Sequence, residues 1–126
     1  MDGKGFKQMI AEAQAQVTHL DAEQASEMMQ HDDVIVLDVR EAHERSQGYI
    51  PGSHHVPRGY LEFICDPEGP MHNDAISDDK RLILYCGSGG RSALACRTLK
   101  EMGFKWIYNL AGGMQGWAGS GYKVEK

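Results

Sequence analysis

Leu82-Ile83-Leu84-Tyr85-Cys86-Gly87-Ser88-Gly89-Gly90-Arg91-Ser92 sets an apolar run directly before a cysteine and a glycine-rich turn. An unbroken apolar run of this length reads as a strand over residues 82–85 that is buried on both faces, the kind found inside parallel sheets. Three of the four residues after the cysteine are glycine, so the loop can curl with its backbone N–H groups turned inward, making an anion-binding concavity. A helix is expected to start near Ser92, carrying Ala95, Leu99 and Met102 on one face and stopping at Gly103. Its N-terminus would bring further unpaired N–H groups and the positive end of its dipole to the same place.

Outward from this segment the chain alternates strands and helices. Phe6, Met9, Ile10, Ala13 and Val17 follow the i, i+3, i+4, i+7 spacing of an amphipathic helix over residues 4–16. A short strand over 17–20 follows. Asp21 can then cap a second helix, with Gln24 three positions on in a capping-box arrangement and Ala25, Met28 and Met29 facing the core. Val34-Ile35-Val36-Leu37 is a second buried strand, ending in Asp38-Val39-Arg40. After it come a polar helix over 41–47 stopped by Gly48, a turn at Tyr49-Ile50-Pro51-Gly52, and a third strand over 53–56. Residues 58–79 look irregular. A fifth strand over 106–110 leads through Ala111-Gly112-Gly113 into a final short helix carrying Trp117. This order predicts an α/β fold with three layers: a five-stranded parallel sheet, built by right-handed crossovers, with helices on both faces. Ligands of such sheets bind beyond the carboxyl ends of the strands, where Asp38 and Cys86 both fall.

The Cys86 loop is a setting for a nucleophile. Inward N–H groups and a helix N-terminus favour the thiolate, so the thiol should titrate below the free value of about 8.5. Arg91 is permanently charged and can face the anion or brace the loop. The bland alternative is a cysteine that is merely a small buried hydrophobe. A nucleotide loop would need a Gly-Lys-Ser/Thr ending or a Gly-x-Gly-x-x-Gly fingerprint, and this loop has neither. Cys96 is expected to serve packing. Cys65 could approach Cys86 as a resolving thiol, although nothing in the spacing favours it. The cluster Gly112, Gly113 and Gly116 reads as ordinary loop glycine. Arg58, following Pro57 at the carboxyl-end rim, either attracts an anionic substrate or is an ordinary exposed arginine.

Composition narrows the function classes. The 126 residues suit one domain, and 41% hydrophobic with 25% charged content is globular. A formal charge of −5 and no basic patch interleaved with aromatics argue against nucleic acid. No run approaches the ~20 apolar residues of a membrane span, and residues 1–7 lack a secretory pattern. Three cysteines cannot all pair within the chain, so reduced thiols in a cytoplasm are expected. No Cys-x-x-Cys pair occurs and His54-His55 diverge on a strand, so no metal site is expected.

Four landmarks in order, Leu37-Asp38-Val39-Arg40-Glu41, Gly48-Tyr49-Ile50-Pro51-Gly52-Ser53, the Cys86 to Ser92 loop, and Leu110-Ala111-Gly112-Gly113-Met114-Gln115-Gly116-Trp117, resemble those of the rhodanese family. The likeness covers residues 17–125, and residues 1–16 resemble an extension found in some single-domain members, expected to pack on the domain at 17–126. The resemblance implies that Cys86 forms a persulfide, that Gly87, Ser88, Gly89, Gly90, Arg91 and Ser92 cradle the transferred sulfur and donor anion, and that Asp38 and Arg40 support the floor. The family usually has His at position 49 and Ala at position 53, where Tyr49 and Ser53 stand, a change expected to alter packing more than chemistry. Mercaptopyruvate-using members carry Val-Thr or Val-Ser where this loop has Gly90-Arg91.

The implied activity is a thiosulfate sulfurtransferase moving sulfane sulfur from a small anionic donor to a thiol or cyanide, with no metal or organic cofactor. Two rivals stand beside it: a non-catalytic rhodanese module used for binding or regulation, and a phosphatase. The dual-specificity cell-cycle phosphatases, on a similar scaffold, place five residues between cysteine and arginine; here there are four.

Overall fold

The computed structural model describes residues 3–126. Helix α1 (Phe6–Gln16) leads to strand β1 (Thr18–Leu20), and Asp21 caps α2 (Ala22–Met28). Its carboxylate accepts from the Gln24 N–H while the Gln24 side chain accepts from the Asp21 N–H, the expected reciprocal box. Then come β2 (Val34–Asp38), α3 (Ala42–Arg45), β3 (His54–His55), α4 (Leu61–Cys65), β4 (Arg81–Tyr85), α5 (Gly90–Glu101), β5 (Ile107–Leu110) and α6 (Gly113–Gly119). The sheet has five strands in the order β1-β5-β4-β2-β3, and all its pairings are parallel. The α/β class and five-stranded parallel sheet are as the sequence predicts.

Side chains alternate across β4. Leu82, Leu84 and Cys86 join Cys65, Ala95, Cys96 and Leu99 in one core layer beneath α4 and α5. Ile83 and Tyr85 join Ala25, Ile50, Leu110 and Trp117 in the other. This period-2 division is what commits the side chain of Cys86 to the face where α5 begins.

Several expected elements differ in detail. The polar helix shrinks to the single turn α3, because Glu41 is its N-cap and Ser46 its C-cap. The third strand keeps only two residues, since Ser53 turns back to the Ile50 carbonyl and β3 pairs on one side only. The stretch read as irregular holds a 3-10 turn (Arg58–Tyr60) running into α4. Its helical signal is a short apolar cluster, Leu61, Ile64 and Cys65, too brief to show a period.

Candidate active site

Register aligns Asp38 with Tyr85, so the ends of β2 and β4 present their following residues side by side. Cys86 is 1% exposed. Its Sγ receives the Gly89 N–H at 3.1 Å, and the Ser92 N–H and hydroxyl at 3.4 Å each. Burial pushes the thiol up, and the bonds from Ser92, Gly89 and Ser88 more than offset it, leaving Cys86 below its ordinary value. The other two cysteines go the opposite way: burial pushes Cys65 up to about 12 and Cys96 further still. Neither sits in a setting that favours its thiolate.

The loop curls because Gly89 has φ +109°, and a Cβ there would lie 2.5 Å from the Ala111 carbonyl oxygen. The Gly112-Gly113 pair is not ordinary loop glycine. Gly113 has φ +58°, and a Cβ there would lie 2.6 Å from the carbonyl oxygens of both Cys86 and Gly87. The close approach lets Met114 N–H donate to the Cys86 carbonyl at 2.8 Å and Gln115 N–H to the Gly87 carbonyl at 3.1 Å. Helix α6 thus fastens the base of the loop.

Asn109, which the sequence reading passed over, fastens the other side. It is buried on β5, donating from Nδ2 to the Gly89 carbonyl (3.3 Å) and to His19 Nδ1 (3.3 Å). His19 Nε2 in turn donates to the Gln14 carbonyl at 2.9 Å. With both amide protons so used, Asn109 Oδ1 faces the Ser92 hydroxyl, whose single proton is shared between that oxygen and Cys86 Sγ. The available signal was a lone amide in an otherwise apolar strand, where an unpaired polar group would be costly.

Arg91 braces the loop, one guanidinium nitrogen lying 3.4 Å from where a Gly87 Cβ would be. Its guanidinium makes a two-pronged pair with Glu44 on α3, at 2.7 and 2.8 Å. The pair holds the Glu44 carboxyl down at about 2 and raises Arg91, with the Cys86 sulfur a lesser contributor. Glu44 also went unnoticed in the sequence, where it reads as one charge on a polar helix.

Asp38 and Arg40 form an ion pair at the end of β2, beside the end of β4. Arg40 donates to both Asp38 oxygens at 2.9 Å and to the Gly48 carbonyl at 2.7 Å. Arg45 adds a bond to Asp38 at 3.1 Å and reaches the hydroxyl and carbonyl of Ser53 at 3.0 and 2.8 Å. Tyr85 completes the network: its hydroxyl donates to Asp38 at 3.0 Å, accepts the Ile50 N–H at 3.1 Å and sits 3.2 Å from Ser53 Oγ. Burial opposes the Asp38 charge, and the bonds from Arg40 and Tyr85 overcome it, lowering its pKa. Tyr49 packs under Arg45, whose guanidinium carbon is 4.2 Å from the ring centre. Arg58 does not join the loop by any hydrogen bond; its guanidinium is engaged by Glu62 and Thr98, each at 3.2 Å. No group of three or more His, Cys, Asp or Glu among the described residues could hold a metal ion, and no described helix is long and apolar enough to cross a membrane.

Residues 21–120 match the family described as Rhodanese-like domain. A sulfurtransferase of Allochromatium vinosum is 31% identical over 109 residues, 86% of this chain and 94% of that protein. The thiosulfate sulfurtransferase GlpE of Glaesserella parasuis is 30% identical, covering 86% and 93%. A putative sulfur carrier protein of Bacillus subtilis is 36% identical over 67% of this chain, which spans only 41% of that longer protein. Among solved structures, a Rhodopseudomonas palustris protein of unknown function, described as a possible tyrosine phosphatase, is 34% identical with a TM-score of 0.92, over 99% and 97% of the two chains.

Proposed function

Because this chain belongs to the rhodanese-like sulfurtransferase family, we propose that it is a thiosulfate sulfurtransferase working through a persulfide on Cys86. The observation that carries this reading is the set of N–H and hydroxyl donors, from Gly89 and Ser92, converging on a buried sulfur whose thiolate they favour. In the first step the Cys86 thiolate attacks the outer sulfur of thiosulfate, the sulfur–sulfur bond breaks, and sulfite departs as a dianion. The enzyme keeps Cys86–S–S⁻. In the second step a thiolate or cyanide attacks that terminal sulfur and Cys86 leaves as thiolate. Charge and sulfur balance in both steps, and no side chain need serve as general base once Cys86 is ionised. Ser88 and the glycines 87, 89 and 90 line the loop around the transferred sulfur, and the Asp38–Arg40 pair supports the strand end beside it. Arg58 acts on an incoming anion through long-range charge and not by contact, its guanidinium being paired with Glu62 and Thr98, so Arg58→Ala should raise the Michaelis constant for thiosulfate, an effect that salt should mimic.

A phosphatase reading has less support. Only four residues separate Cys86 from Arg91, a tighter ring than a phosphoryl group with three outer oxygens requires. The guanidinium that would have to bind those oxygens is clasped by Glu44.

Intact mass after incubation with thiosulfate tests the proposal: one added sulfur is expected in the wild type and none in Cys86→Ser, with steady thiosulfate turnover and negligible hydrolysis of an aryl phosphate. Failure to gain sulfur, or phosphatase rates comparable to sulfur transfer, would overturn it.

A further inference from the structure

Helix α1 does more than cover the flank of α5. The two helices run in the same direction: Ile10 lies beside the start of α5, its Cδ1 3.3 Å from where a Gly90 Cβ would be, while the Gln16 carbonyl near the end of α1 accepts Lys100 Nζ at 2.6 Å. One stripe of α1 carries Phe6, Ile10 and Ala13 at helical spacing. Ala13 is fully buried, Ile10 reaches the catalytic loop, and Phe6 continues the stripe past the point where α5 ceases to exist. At about 1.5 Å per residue, Phe6 stands some 6 Å beyond Ile10, a full turn out from the Gly90 level. Phe6 is 69% exposed and neighbouring Met9 37%. An apolar stripe that is core at one end therefore runs up to the loop at Gly90 and stays uncovered beyond it.

What can occupy that rim follows from its place. Its inner end, at Ile10, lies against the Gly90 position of the loop, so a molecule resting on it lies beside the loop that holds Cys86. Thiosulfate is a compact dianion and gains nothing from a phenyl ring. The second substrate differs: an attacking thiol brings a carbon body that must lie outside the cradle while its sulfur reaches in. We propose that Phe6, Met9 and Ile10 form an acceptor subsite selecting small thiols that carry an apolar body, aryl or branched alkyl, about one helical turn in length. This deepens the sulfurtransferase reading and rests on it. The step is the discharge already described: the acceptor thiolate bonds to the terminal sulfur of Cys86–S–S⁻, the sulfur–sulfur bond breaks, Cys86 leaves as thiolate, and the acceptor departs as its own persulfide anion.

The test separates loading from discharge. The full chain is charged with thiosulfate, freed of excess donor, and its single added sulfur confirmed by mass. Discharge is then timed with phenylmethanethiol, 2-mercaptoethanol and cyanide, in the wild type, Phe6→Ser and Phe6→Leu. The expected result is a loss on the order of tenfold for phenylmethanethiol in Phe6→Ser, the scale set by removing about 55 Å² of apolar contact. Discharge to cyanide should be unchanged, and Phe6→Leu should recover most of the loss. Phe6 is a surface residue, and a melting temperature equal to wild type will show that the fold is intact. Equal discharge to phenylmethanethiol by loaded wild type and loaded Phe6→Ser would overturn the subsite alone. Failure of the wild type to load at all would overturn the persulfide reading and the subsite with it.

Discussion

Gly113→Ala should damage sulfur transfer from a position outside the Cys86 loop. A methyl group there would lie 2.6 Å from two carbonyl oxygens, of Cys86 and Gly87, and 2.7 Å from the Gly87 carbonyl carbon. Ordinary contact begins near 3.4 Å, so backbone on one side or the other must retreat by about 0.8 Å. None of the obstructing atoms belongs to a flexible side chain. The same methyl also pays the left-handed penalty at φ +58°, about 1–2 kcal/mol, to which overpacking adds about 1–3 kcal/mol. A destabilisation of roughly 2–5 kcal/mol follows, enough to lower the melting temperature by ~10 °C or more in a domain of this size. The retreat also lengthens the Met114 and Gln115 bonds to the loop and moves the Gly89 donor relative to Sγ. A displacement approaching 1 Å in a preorganised site costs on the order of a hundredfold in rate. The assays are thermal melting and the single-turnover rate of persulfide formation from thiosulfate, with Gly116→Ala as the control, since a Cβ at Gly116 meets nothing within 4 Å. Gly113→Ala melting and reacting like the control would refute the argument that α6 fastens the loop.

Three further outcomes are expected. Cys65→Ser and Cys96→Ser should each keep most of the activity, because both thiols are buried and held protonated; a Cys65 variant that forms the persulfide but stalls afterwards would make Cys65 a resolving thiol. Ser92→Ala should shift the pH profile of Cys86 alkylation upward, since it removes a donor that favours the thiolate. In the wild type the same donors add stability that is fully present above the unfolded thiol value of about 8.5 and is lost as pH falls through the lower folded value. Tyr85→Phe should cost about 1–3 kcal/mol in denaturant titration, because it strands the buried Ile50 N–H and removes one donor from Asp38; an unchanged midpoint would show that Ser53 or Arg45 takes over the bonds.

Two departures from the family pattern meet at one arginine. Ser53, where the rhodanese pattern usually has Ala, is bonded by Arg45 and lies against the Tyr85 hydroxyl. Tyr49, in the usual place of His, lies flat under the same arginine. Arg45 thus engages both positions, and no buried side-chain N or O among the described residues lacks a hydrogen bond.

Local rules suffice for everything that depends on a short stretch of chain. Apolar runs at 34–37 and 82–85 dictate buried parallel strands, the Asp21-Gln24 box starts a helix, and a cysteine before three glycines and a helix N-terminus makes an anion-favouring loop whatever surrounds it. What the sequence could not specify was which distant groups close on that loop. Glu44 lies 47 residues from Arg91, Asn109 lies 17 from Ser92, and Gly113 reaches Cys86 only because β5 runs parallel to β4 and delivers its own following helix to the same edge. Ile10 lies beside Gly90 across 80 positions of chain. A charge on a polar turn, an amide in a strand and a glycine after one look ordinary in isolation; sheet order and register, which long-range packing decides, make them neighbours of the sulfur.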